Sequence, residues 1–168
     1  TDAVTWMISG AFGVAITTFV GQNYGAHKFD RVRQSVRVCL GMSICTVGVL
    51  SLTIVAFRST ILGIYTADNQ VIETGSFIMS VIMPFAAVFM PVEIFAGTMR
   101  GMGDSVKPTV VICLSVCVVR VLWLATVVRW HHALVLLCVC YPMTWILTAV
   151  IFLYIYFHDF RKRLVEEA

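Results

Sequence analysis

Glu93 is the residue whose surroundings demand chemistry. It lies in the apolar run Ala86–Ala96, and the next polar side chain of any size is Thr98, five residues on. An ionised carboxylate at such depth in a bilayer costs at least about 2.5–3.5 kcal/mol on insertion scales. It must face protein or water, pair with a cation, or carry a proton. Inside a membrane such a group is by default a proton or ion site; a structural carboxyl bonded to a neighbouring helix is the plainer alternative. Arg120 is the matching cation, 12 residues past Pro108 and so about 18 Å into its span. Glu93 lies seven residues from Arg100, about 10 Å deep. A long arginine can bridge the difference, so a Glu93–Arg120 pair is expected if the two helices touch. Backbone carbonyls or a cavity wall are the other outlets for Arg120. Pro91 stands two residues before Glu93, and Pro84 precedes it in the same run. Each proline removes a backbone hydrogen bond and favours a kink. A kink at Pro91 frees carbonyls beside the carboxylate, which suits a cation site that opens and closes.

The other reactive residue types form no set. Cys113 and Cys117 are four apart and Cys138 and Cys140 two apart, all inside apolar runs, as are Cys39 and Cys45. No second CxxC or histidine pair completes a zinc site, so these read as small packing residues and no metal is expected. His131 and His132 read as interfacial loop residues. There is no serine–histidine–aspartate set, phosphate loop or HExxH, so an enzyme is not expected.

The elements that position Glu93 and Arg120 follow from composition. The chain of 168 residues is 60% hydrophobic and 12% charged, whereas soluble domains are about 45–50% apolar and about 25% charged. Too little polar surface remains to cover a water-soluble sphere. The net charge of +3 sits in short basic clusters between apolar segments and is no nucleic-acid signal. Uncharged windows of 25, 20 and 19 residues follow Asp2, Arg37 and Glu73, and a window of 21 after Lys107 holds only Arg120. A last window of 29 follows Arg129. About 20 apolar residues cross a bilayer as a helix, and runs apolar all round are not barrel strands. The sequence predicts an all-α integral membrane protein, a bundle of five transmembrane helices over 3–21, 39–57, 74–98, 108–128 and 133–157. Short connections make neighbours antiparallel.

Orientation follows from counting. Lys28, Arg31, Arg33, Arg37, Arg100, Lys107, Arg161, Lys162 and Arg163 fall on one side, and Arg58 and Arg129 on the other. Nine against two places the tail 158–168 in the cytoplasm and the chain start outside, in a cytoplasmic (inner) membrane. The segment Lys28–Arg37 reads as an amphipathic entry to the second helix and a headgroup anchor. Arg58–Glu73 reads as partly helical and interfacial, with Ala67-Asp68-Asn69 as a turn or cap. Gly21–Gly25 and Gly97–Gly101 are GxxxG spacings, which allow close backbone approach or a tight turn. The chain opens at Thr1 without the pattern of a cleaved signal peptide, and is expected to be a piece of something longer.

Three motifs carry a resemblance. Phe19-Val20-Gly21-Gln22-Asn23-Tyr24-Gly25-Ala26, then Phe29-Asp30-Arg31-Val32, resembles the helix-eight exit of the multidrug and toxic compound extrusion family. Met99-Arg100-Gly101-Met102-Gly103-Asp104-Ser105 with Pro108 resembles its loop between helices ten and eleven, and Tyr141-Pro142-Met143-Thr144-Trp145 its helix-twelve start. His27 stands where that family usually has a small residue, often glycine. The resemblance implies helices eight to twelve of a twelve-helix exporter, in which two six-helix bundles face a central cavity. Sodium or proton entry would drive out organic, often cationic, compounds. It also implies that the N-terminal bundle of the same chain is the missing partner, beside membrane lipids and small organic substrates, with no cofactor other than the coupling ion. Glu93 is then the expected cation-coupling residue and Arg120 its electrostatic partner. Gln22, Asn23, Phe89, Pro91 and Trp145 are expected cavity or gate residues, because polar and aromatic groups suit amphiphilic cations. The rivals are a lipid-linked or polysaccharide flippase of the same superfamily and a membrane assembly subunit.

Overall fold

The computed structural model describes residues 2–128 and 134–160. Arg129, His131, His132 and the tail residues Arg161, Lys162 and Arg163 lie outside them. Among the described residues there is no strand. The helices are α1 (Asp2–Gly25), α2 (Phe29–Ala56), α3 (Arg58–Tyr65), α4 (Asn69–Ile82), α5 (Ala86–Gly101), α6 (Val106–Ile112), α7 (Val119–Trp123) and α8 (Leu134–Ile155). Five stretches are long and apolar enough to cross a membrane: Ala3–Gly25, Phe29–Ala56, Asn69–Gly101, Val106–Val127 and Val135–His158.

Several boundaries move from those expected. The basic segment Lys28–Arg37 is no separate entry. From Phe29 it is continuous with α2, because Phe29, Val32 and Val36 bury one stripe of it while the charges line the other. The third span stays helical through Pro91, which lies inside α5. The break comes at Pro84, where the tight turn Met83–Phe85 joins α4 to α5. Proline there removes the N–H that would continue the α4 ladder after the Met83 N–H to Met79 carbonyl bond, and the chain tightens to a 3-10 turn. The loop reads as expected: α3 is a short helix, and Asp68 caps α4 by accepting the Gln70 N–H at 2.9 Å. The fourth span has a feature absent from the sequence reading. Its α-helical segments alternate with π turns at Cys113–Val118 and Leu124–Val128, so Arg120 stands on α7 between two wide turns.

α5 is the central helix. It packs on α1, α2 and α8 around Ile16, Val20, Val36, Ile94, Phe95 and Phe152. α1 and α5 run parallel and almost touch. A Cβ on Gly97 would meet Ile16 Cγ2 at 2.6 Å and the Gly13 carbonyl at 2.8 Å, and one on Gly101 would meet the Thr17 carbonyl at 2.6 Å. Of the two GxxxG spacings, Gly97–Gly101 is therefore the close approach. Space is open around Gly25.

Both ends of this pair stop in the same turn. After α5, Gly103 adopts φ +88°; its N–H reaches the Arg100 carbonyl, and that of Asp104 reaches Met99, each at 3.0 Å. After α1, His27 adopts φ +55°, with His27 N–H to Tyr24 at 3.0 Å and Lys28 N–H to Asn23 at 2.8 Å. These are Schellman turns, so the glycine-rich Arg100–Asp104 motif is a helix stop. His27 occupies the position glycine normally takes.

Candidate functional site

Glu93 projects from the middle of α5 toward α1, over Gly13. A Cβ at Gly13 would lie 3.0 Å from Glu93 Oε2, so the carboxylate fills the space that a side chain would take. Arg100 lies on the same face of α5, since seven residues are two turns within about 20°. It bends back along the helix and places Nη2 3.4 Å from Glu93 Oε2. Its side chain stays 39% exposed and that of Glu93 24%. One turn further on, Thr17 Oγ1 lies 2.7 Å from the Gly13 carbonyl and 3.1 Å from the Gly97 carbonyl, lashing α1 to α5.

The expected Glu93–Arg120 pair is not formed. Arg120 faces α8, where Nη2 donates to Thr144 Oγ1 at 3.1 Å and the guanidinium lies 4.3 Å from the Tyr141 ring centre. Its buried Nε has no partner among the described residues. The condition for that pair is contact between the two helices on these faces, and Arg120 is turned to α8. Arg100 instead folds back along α5 and pairs with the carboxylate. The i, i+7 spacing was visible in the sequence and would have found this pair.

Phe89 and Trp145 do meet, with ring centres 5.8 Å apart. Trp6 of α1 completes the group at 5.0 Å from Phe89 and 6.2 Å from Trp145, and Tyr141 joins Trp145 at 6.2 Å. Trp6 was missed because hydropathy along α1 does not say which of its residues meet α5 and α8. Beside these rings lies a cavity of about 310 Å³, lined by Trp6, Met79, Met83, Cys138, Tyr141 and Trp145 among others. Gln22 and Asn23 are not part of it. Asn23 lies 17 residues along α1 from Trp6, about 25 Å away by helical rise. It is buried and its Nδ2 donates to the Phe19 carbonyl at 2.8 Å, while Gln22 is exposed. Pro91 stands beside Glu93 on α5 without ending the helix.

This arrangement offers a carboxylate held by a movable cation, and on the same side of α5 an aromatic-lined cavity. The MatE family model matches residues 1–126. The chain belongs to the MatE family. Similar MatE proteins include the probable multidrug resistance protein YoeA of Bacillus subtilis, 27% identical over 66% of this chain and 24% of that protein. Multidrug and toxin extrusion protein 2 of Mus musculus is 31% identical over 60% of this chain and 18% of that protein. A solved inward-facing multidrug resistance MATE family transporter of the MOP superfamily superposes with a TM-score of 0.69, covering 97% of this chain and 39% of that one at 15% identity. The chain thus spans about a quarter or less of the curated MatE relatives named here, and its helices are membrane helices in the fold of that transporter.

Proposed function

We propose that this chain forms most of the C-terminal bundle of a cation-coupled exporter that expels organic, often cationic, compounds across the cytoplasmic membrane, its tail in the cytoplasm. The observation that carries this reading is the Glu93 carboxylate, three-quarters buried between Gly13 and Arg100. A proton or sodium ion reaching Glu93 competes with Arg100 for the same oxygen. Arg100 is the resting counter-charge on the same helix, and its release frees the Glu93 carboxylate where it faces Gly13 of α1. The electron-rich faces of Trp6, Phe89 and Trp145 suit an amphiphilic cation, which such rings attract within about 6 Å. Arg120 stays bound to Thr144 and Tyr141 and ties α7 to α8.

The test is Glu93→Gln in the full-length protein, followed as gradient-driven export of a fluorescent organic cation from membrane vesicles. Glutamine keeps the shape and loses the charge. Export that no longer responds to the sodium or proton gradient is expected. Full transport at an unchanged ion dependence would remove Glu93 from the coupling step.

A further inference from the structure

A second cavity lies away from both Glu93 and the aromatic cluster. It is a groove of about 630 Å³ along the outer face of the α1–α2 pair. On α2 its wall is one stripe, Arg31, Gln34, Ser35, Val38, Cys39 and Met42, at the three-and-four spacing that shares a helix face. On α1 the facing wall is Phe12, Ala15, Ile16 and Phe19. The antiparallel turn at His27 sets Phe19 beside the Arg31 end and Phe12 beside the Met42 end.

The groove is graded. Its end near the α1–α2 turn is polar, and everything from Val38 onward is apolar. Arg31 is exposed and makes no ion pair among the described residues. Exposed Lys28 and Arg37 stand near it in sequence and likewise form none there. From Arg31 to Met42 is eleven residues, about 16 Å of helix, and the apolar wall from Phe12 to Phe19 covers about 10 Å of it, within the roughly 15 Å of hydrocarbon in one leaflet.

We infer that this groove is a site for an anionic phospholipid, with the headgroup phosphate on Arg31 and Gln34 and an acyl chain along Phe19, Val38, Phe12 and Met42. Its length argues for a lipid over a helix from elsewhere in the protein, because a spanning helix needs a seat of about 30 Å. Its charge argues for an acidic lipid, because basic residues at the membrane surface attract anionic headgroups. The inference rests on the membrane fold alone and is independent of the role given to Glu93.

The experiment uses the full-length protein carrying Phe12→Trp, reconstituted with phosphatidylglycerol or phosphatidylcholine brominated along the acyl chain. The reporter's emission is taken against the same protein without the substitution. Quenching favouring phosphatidylglycerol by about fivefold in apparent affinity is expected, the size of one arginine's attraction to an acidic surface. Arg31→Gln should erase that preference, leaving quenching by phosphatidylcholine and the thermal transition unchanged. Equal quenching by both lipids overturns the inference, as does a preference that survives Arg31→Gln. No quenching by either lipid also overturns it, since another part of the protein then fills the groove. Should Arg31→Gln fail to fold, mass spectrometry of the unsubstituted protein decides. Retained phosphatidylglycerol in excess of phosphatidylcholine supports the site, and equal retention sinks it.

Discussion

Glu93 stands where the side chain of Gly13 would be, its Oε2 3.0 Å from the position of the missing Cβ. One helix leaves a gap and the next supplies a carboxylate to it. Gly13→Ala should therefore fold, because the group it meets is the end of a flexible side chain. It should push the carboxylate off Gly13 and change the ion dependence of export while protein yield holds. An unchanged ion response in Gly13→Ala vesicles would show that this contact is idle.

Arg100→Gln removes the resting counter-charge. A partly exposed ion pair contributes about 0.2–1 kcal/mol, so the half-saturating concentration of the driving cation should fall by up to about fivefold. Titrating vesicle transport against sodium or proton concentration measures it. A rise in that concentration would mean Arg100 assists the ion and does not compete with it.

Gly97→Ala meets Ile16 Cγ2 and the Gly13 backbone, and backbone cannot step aside. Overpacking of this kind costs about 1–3 kcal/mol, read as a lower thermal transition in detergent. Gly41→Ala, with open space around it in mid-α2, is the control and should be neutral or stabilising by up to about 1 kcal/mol.

His27→Gly should raise stability. A non-glycine residue in the left-handed region costs about 1–2 kcal/mol, and the loss of the His27–Phe29 ring contact at 5.8 Å offsets part of the gain. Thermal unfolding of the two proteins side by side decides it.

Thr144→Val should destabilise by about 1–3 kcal/mol, because it leaves the Arg120 guanidinium without its hydroxyl partner. Arg120→Met should be milder, since Thr144 keeps its bond to the Tyr141 carbonyl at 2.9 Å. The double substitution should recover most of the loss. Additive losses in a thermal-shift cycle would contradict the coupling.

Five spans were legible because the apolar windows leave no other way to bury that much surface. The resemblance carried by Gly21–Ala26 and Arg100–Asp104 reached the family the chain belongs to. What stayed hidden depends on rotation and on side-chain direction, which hydropathy does not encode. Pro84 and Pro91 look alike in sequence, yet the helix breaks at the first and runs through the second. Gly13 matters because α1 turns it toward Glu93, and Trp6 because its ring meets Phe89 and Trp145; hydropathy does not mark either face. Arg100 was read as part of a loop motif, and its partner two turns back was assigned to a deeper arginine.

The backbone contact at Gly97 and Gly101 has a consequence for motion. Two helices separated by side chains can slip past one another by changing rotamers. At Gly97 and Gly101 there is no room between α1 and α5 for an added Cβ, so a slide of one residue, about 1.5 Å, brings the Gly13 and Thr17 carbonyls against the next side chains of α5. This contact favours movement of α1 and α5 together. The freedom for a transport cycle then resides in the Pro84 turn, the π turns about Arg120 and the one arginine, Arg100, that can swing while the pair stays whole.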